Sequence, residues 1–182
     1  MTTSPWRQRL EDAWRESERH VHHLFQAMSA LRPLWPFTAG NYAGLTDDQV
    51  RDLDQFILRF SKLQDTVGGR FFPAILGYLE EQYEDRPMLD KLNRLEKLGY
   101  LDSAEEWQRI RDIRNKFAHD YPDDNEKNAA HLNLAFDSVT DIYDLLSAAG
   151  AKLQREHPEV KFEKSLSSNS PTWAKLSKQK NL

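Results

Sequence analysis

One stretch near the middle of the chain, residues 107–121, decides the predicted fold; it reads Trp-Gln-Arg-Ile-Arg-Asp-Ile-Arg-Asn-Lys-Phe-Ala-His-Asp-Tyr. Apolar side chains recur in this stretch at intervals of three and four residues, at Trp107, Ile110, Ile113 and Phe117. Because this spacing follows one face of an α-helix, it predicts a helix with a single buried stripe. Pro122 follows directly and is expected to end that helix.

Polar side chains gather at the C-terminal end of this predicted helix, at Arg114, Asn115, His119 and Tyr121. Arg114 and His119 are five residues apart, which places them roughly 140° apart around the axis and about 7.5 Å apart along it. Long side chains at that separation can converge on one small anion. The local charge also suits an anion, because residues 109–119 contain three arginines and one lysine but only one aspartate.

The composition of the whole chain excludes several classes of protein. Its 182 residues are enough for one packed domain, and the absence of cysteine excludes disulfides, zinc–thiolate sites and cysteine nucleophiles. A net charge of −4 argues against a protein that coats nucleic acid non-specifically. The N-terminus has no signal-peptide pattern, and no apolar run approaches the roughly 20 residues of a membrane span. We therefore expect a soluble, cytoplasmic protein that does not bind membranes.

Helical periodicity extends through the rest of the chain. A capping box at Thr46 opens one predicted helix, and the glycine pair at residues 68–69 predicts a kink or a close helix approach within it. Asp102 or Ser103 is expected to cap the central helix. With the central helix, five segments are predicted, the others covering about residues 5–32, 46–79, 88–98 and 126–156. The predicted fold class is all-α, an antiparallel helical bundle.

The predicted organisation has three parts. Residues 1–46 form an N-terminal helical extension and an aromatic linker, which we expect to be packed. Residues 47–157 form the helical bundle. Residues 158–182 form a flexible basic tail, since there are four lysines and no acidic residue from Lys164 onward.

Two other groups of polar side chains each have two interpretations. His20 and His23 share a predicted helix face with Glu16 and could hold a metal ion, but a solvated face is the simpler interpretation because no remote carboxylate cluster accompanies them. Lys62 and Asp65 lie one turn apart, and they either face a functional groove or form an exposed ion pair.

The pattern Arg114-Asn115-x-x-x-His119-x-Tyr121 resembles the signature of HEPN domains, and more narrowly of HepT-like toxins paired with a minimal nucleotidyltransferase. The resemblance covers about residues 47–156. It implies a HEPN-like bundle and a metal-independent endoribonuclease, with Arg114 and His119 of both chains of a homodimer lining one catalytic cleft. Asn115, by the same resemblance, helps to orient the pair. Tyr121 is then the residue that the nucleotidyltransferase antitoxin modifies with AMP to silence the toxin.

The chemistry of these residues is consistent with that implication. Cleavage of RNA through its 2′-hydroxyl needs proton-transfer groups and a cation near phosphorus, and it needs no metal ion or other cofactor. The imidazole of His119 suits the proton transfers, and the guanidinium of Arg114 suits phosphate oxygens. Arg111 and Lys116 would add contacts to an RNA substrate such as tRNA or mRNA.

Two alternatives stay open on the sequence alone. The chain could be a non-catalytic HEPN interaction module that binds a nucleotidyltransferase or a nucleotide. The same residues could instead be structural, with Arg114 paired with an acid near Asp112 or Glu106, His119 capping the helix end and Tyr121 in the core. Cleavage of RNA by the purified protein distinguishes the enzyme from both alternatives.

Overall fold

The computed structural model of the chain describes residues 4–117 and 124–162. This described part is helical and contains no β-strand, which confirms the predicted all-α class. A 3₁₀ turn, Arg32–Leu34, follows the first helix, and a π-helical turn, Val67–Phe71, joins the third helix to the fourth. The helices are, in chain order, α1 (Pro5–Leu31), α2 (Ala39–Ala43), α3 (Asp47–Thr66), α4 (Phe72–Tyr78), α5 (Met88–Lys97), α6 (Ala104–Lys116) and α7 (Asn125–Glu156).

Helix ends follow the capping signals in the sequence. The Thr46 hydroxyl accepts a hydrogen bond from the Gln49 N–H, and the Gln49 side chain accepts one from the Thr46 N–H, which completes the predicted capping box of α3. At the start of α6 the Ser103 hydroxyl accepts a hydrogen bond from the Glu106 N–H. After α5, Gly99 adopts a φ of 73°, a conformation that glycine reaches without the steric cost of a Cβ.

The first helix belongs to the same hydrophobic core as the helices that follow it. Phe25 of α1 lies 5.5 Å, ring centre to ring centre, from Tyr143 of α7. Phe56 of α3 in turn lies 4.4 Å from Phe136 of α7. These aromatic contacts join α1, α3 and α7 around one apolar interior.

Helix α1 also runs antiparallel to the continuous helical segment formed by α3 and the π-helical turn. Glu16, near the middle of α1, pairs with Arg70 of the turn, whereas His20 one turn later contacts Arg59 of α3. A higher residue number on one helix therefore meets a lower number on the other.

The linker between α1 and α3 is packed, as predicted. Asn133 of α7 holds it through both amide atoms: its Oδ1 accepts a hydrogen bond from the Phe37 N–H at 2.8 Å, and its Nδ2 donates to the Phe37 carbonyl at 2.9 Å. The Phe37 ring is buried. Helix α2, which is only five residues long, was not predicted because so short an element gives no measurable periodicity.

The glycine pair lies in the π-helical turn, where α6 crosses. A Cβ atom at Gly68 would lie 3.0 Å from Cζ2 of Trp107, which is fully buried. The predicted close helix approach is therefore present at Gly68. At Gly69, by contrast, an added Cβ atom would have no neighbouring heavy atom within 4 Å among the described residues.

The last described turn of the central helix is tight. Helix α6 is assigned to Ala104–Lys116, and the Phe117 N–H bonds to the Arg114 carbonyl three residues back. His119 and Tyr121 lie outside the described residues.

Packing also continues beyond Pro158, where the flexible tail was predicted to begin. Val160 and Phe162 are buried, and the Phe162 ring stacks on Trp14 of α1 with 4.1 Å between ring centres. The first residues of the predicted tail thus contribute apolar surface to the core. Residues 163–182 lie outside the described part.

We predict that Gly150→Ala lowers the free energy of unfolding by about 1–3 kcal/mol, because the added methyl group would overlap the Trp14 ring and overpack the α1–α7 contact. Gly69→Ala is the matched control, since its position is open and alanine favours helix over glycine by about 1 kcal/mol. Urea denaturation of both variants measures the effect. A Gly150→Ala protein as stable as the wild type would contradict the prediction.

Candidate functional site

Arg114 lies in the last turn of α6, and its guanidinium reaches α3. Its Nη2 donates to both carboxylate oxygens of Asp65, at 2.9 and 3.2 Å, and its Nη1 donates to Oδ1 of Asn115 at 3.2 Å. The side chain of Arg114 is 33% exposed and that of Asp65 is 53% exposed. The candidate site is therefore an arginine at the surface, held by an acid of a second helix and by the neighbouring amide.

The packing of α6 explains why Arg114 faces α3. Trp107 is buried against Gly68, and Arg114 follows it by seven residues, which is close to two turns and returns to the same face. Phe117 then packs edge-on against Phe60 of α3, with 6.0 Å between ring centres. The apolar contacts on either side of Arg114 thus direct its side chain along the α3–α6 seam.

The ion pair of Arg114 and Asp65 joins two helices. Asp65 pairs with Arg114 of another helix and not with Lys62 on its own helix. The acid that contacts Arg114 is thus on α3, whereas Glu106 of α6 accepts from Arg109 at 2.5 Å. Hydrogen bonding to Arg109 holds the pKa of Glu106 below its usual value.

The pair between Arg114 and Asp65 is open to exchange with another anion. An exposed pair of this kind contributes at most about 1 kcal/mol to stability, because water screens both charges. Arg114 carries five N–H donors, and its Nε–H forms no hydrogen bond within the described residues. A phosphate group can thus be bound without breaking a buried contact.

The other predicted basic residues divide between two faces of α6. Arg111 lies three residues before Arg114, about 60° away around the axis, and is half-buried. Lys116 is exposed and lies about 160° away from Arg114, so it faces a different side. The structure therefore brings Arg111 and Asn115 into the neighbourhood of Arg114, and it does not bring Lys116 there.

A histidine outside the motif lies on the Lys116 side of α6. Burial, followed by the charges of Lys116 and Lys127, lowers the pKa of His131 in the first turns of α7. Sequence reasoning did not single out His131, because it stands within a regular helical pattern and no spacing links it to the motif. Only the antiparallel pairing of α6 and α7, in which Arg109 reaches Asp141, brings it near Lys116.

His119 and Tyr121, the remaining motif residues, lie outside the described residues. Comparison of the chain with protein-family models, with curated proteins and with solved structures gave no match. The HEPN resemblance accordingly rests on the motif residues themselves.

The interpretation of His20 as part of a solvated face is wrong. His20 is only 7% exposed, and its Nδ1 lies 3.2 Å from Nη1 of Arg59, because α1 packs against α3 on this side. Its Nε2 lies 3.6 Å from Glu16, whereas His23 bonds to Gln26 instead of joining the pair. Among the described residues, no three histidine, aspartate or glutamate side chains are grouped so that they could hold a metal ion.

None of the helices in the described part combines the length and the apolar composition that crossing a bilayer requires. The longest, α7, carries charged side chains along its length.

The buried histidine generates a pH prediction. Burial, and next the positive charge of Arg59, lower the pKa of His20 below its usual 6.5, although Glu16 opposes the shift and Arg19 adds to it. The unfolded chain therefore takes up this proton at a higher pH than the folded chain. The stability that neutral His20 contributes is fully present above about pH 6.5 and is lost as the pH falls below that value.

We predict that the stability difference between the wild type and His20→Gln shrinks as the pH falls from about 7.5 to about 5. Urea denaturation across this range measures it. His22→Gln is the control, because His22 lies on the same helix and is exposed. A difference that stays constant with pH would show that His20 titrates alike in the folded and unfolded chains.

Proposed function

We propose that this protein is a metal-independent endoribonuclease with a HEPN-like antiparallel bundle, a cytoplasmic toxin of the HepT-like kind. The observation that carries the proposal is the setting of Arg114. Its guanidinium is at the surface, is held by Asp65 and Asn115, and has an Nε–H donor that forms no hydrogen bond within the described residues. It also stands five residues before His119 in the motif.

The proposed reaction is an internal transesterification. His119 removes the proton from the RNA 2′-hydroxyl, and the 2′-oxygen attacks the adjacent phosphorus. The bond to the 5′-oxygen breaks, and that oxygen takes up a proton, which leaves a 2′,3′-cyclic phosphate and a 5′-hydroxyl. Arg114 stabilises the additional negative charge that develops on the phosphate oxygens.

Two proton transfers of opposite direction require two groups. A homodimer supplies them if His119 of one chain acts as the base and His119 of its partner as the acid. In this proposal Asn115 orients Arg114, and Arg111 on the same side of α6 contacts the RNA backbone. Lys116 contacts a different part of the RNA, because it faces another side of the helix.

We predict that the wild-type protein cleaves tRNA or total RNA in the presence of EDTA and leaves 2′,3′-cyclic phosphate ends. His119→Ala should slow cleavage by roughly 10²–10⁴-fold, because it removes a proton-transfer group. Arg114→Ala should cost a similar factor, because a charge aimed at the transition state is lost. Gel analysis of end-labelled RNA measures the rates, and circular dichroism verifies that the variants are folded.

Arg51→Ala is the matched control for the arginine variant, since Arg51 is exposed on α3 and its ion pair is with Asp48 of its own helix. Light scattering of the same samples should give two chains per particle. If the wild type and His119→Ala treat RNA identically, the ribonuclease proposal fails. Binding of a nucleotidyltransferase without cleavage would then support the interaction module.

The silencing partner generates a separate prediction at Tyr121. A phosphate-bearing group on this phenol, two residues from His119, would repel RNA and obstruct the cleft. Tyr121→Phe should keep RNA cleavage nearly unchanged, because the phenol takes no part in the proton transfers. Co-expression with the nucleotidyltransferase should relieve growth inhibition by the wild type but not by Tyr121→Phe. Equal relief of both would rule out this residue as the modified one.

A further inference from the structure

The acid that holds Arg114 comes from a different helix, and the motif does not contain it. Asp65 lies on α3, 49 residues before Arg114 in the chain, and it is the carboxylate that contacts the guanidinium. The two oxygens of Asp65 share one nitrogen, Nη2, and the Nε–H of Arg114 forms no hydrogen bond within the described residues. Asn115 fixes Nη1 from the other side.

We propose that Asp65 is a positioning residue for the phosphate-binding role of Arg114, an inference that rests on the proposed ribonuclease activity. An arginine side chain at a surface loses rotamer freedom when it binds a ligand, and two hydrogen-bonding neighbours reduce that loss in advance. Asp65 thus orients the guanidinium so that its Nε–H and its unused Nη hydrogens face a phosphate. A displacement of about 1 Å in such a group can slow a reaction by about 100-fold.

A purely electrostatic role for Asp65 would have the opposite sign. A negative charge close to the site repels RNA, so its removal alone would strengthen binding and lower KM. Positioning instead predicts that removal lowers kcat. The two roles are therefore separated by which kinetic constant changes.

The chain offers a matched control on the same helix. Asp54 of α3 is exposed and makes no contact with Arg114, so Asp54→Asn changes the charge without touching the site. Asp65→Glu retains a carboxylate but places it one methylene group further from the backbone. Asp65→Asn retains the shape of the side chain and removes its charge. Because the Arg114–Asp65 pair is exposed, all of these variants are expected to fold.

The experiment measures kcat and KM for tRNA cleavage by these proteins. Asp65→Ala should lower kcat by about 10- to 100-fold with little change in KM, Asp65→Glu should recover most of the loss, and Asp54→Asn should match the wild type. In an Arg114→Lys background, Asp65→Ala should cost almost nothing further, because its effect passes through the guanidinium. Equal kcat for Asp65→Ala and Asp54→Asn, or a fall in KM alone, would overturn the inference.

A second readout does not need catalysis. Phenylglyoxal modifies arginine, and mass spectrometry follows Arg114 with and without inorganic phosphate. Phosphate should protect Arg114 in the wild type and in Asp54→Asn, but not in Asp65→Ala. If the wild type cleaves no RNA and this pattern holds, the ribonuclease proposal fails while Asp65 still positions a phosphate-binding arginine. Equal protection in all three proteins would overturn the inference itself.

Discussion

The contact between an indole ring and a glycine of another helix is the constraint on which this structure depends. Trp107 is completely buried, lies against Gly68 and meets the ring of Phe72 edge-on at 5.0 Å. A Cβ atom at position 68 would lie only 3.0 Å from Cζ2 of Trp107, so a side chain there would require the ring or α6 to shift. Since Arg114 is carried by α6, its distance from Asp65 is set by this core contact two helical turns away.

The same arrangement recurs at two other helix contacts. In each case a methyl group on the glycine would overlap the indole, so the glycine is what allows the two helices to approach. These contacts tie α1 to α4 and to α7, just as the first ties α6 to the π-helical turn. The three pairs are Trp6 with Gly77, Trp14 with Gly150, and Trp107 with Gly68. A helical chain with few glycines thus places three of them where bulky rings require the space.

Helix identity and capping were predictable because both depend on residues close together in the sequence. The capping box at Thr46, the cap at Ser103 and the apolar stripe of α6 each involve neighbours three or four positions apart. Partners on different helices were not predictable, because a period shows which face is buried but not what covers it. Asp65 was therefore grouped with Lys62, and His20 was assigned to a solvated face.

The burial of a polar side chain was also not predictable from the sequence. Gln64 is 3% exposed, and neither atom of its amide has a hydrogen-bond partner within the described residues. From the sequence it is a polar residue one position before Asp65, which would be expected at the surface. It is buried because its side of α3 faces the interior between the contacts of Phe60 and Gly68. An unpaired buried amide costs about 1–3 kcal/mol, so here the packing of the rings outweighs a local polar preference.

Arg114 is held differently from Arg94 and Arg109, two other paired arginines of the described part. Arg94 directs both Nε and Nη2 at Glu81, at 3.0 and 2.7 Å, and Arg109 uses the same two nitrogens on Glu106. Nε and Nη2 together can bind a carboxylate or a phosphate in a bidentate manner. In Arg94 and Arg109 both nitrogens are already bound to a glutamate. Within the described residues, Arg114 gives its acid a single nitrogen and its Nε forms no hydrogen bond. It is thus held in place while a donor remains for another anion, as the proposed phosphate-binding role requires.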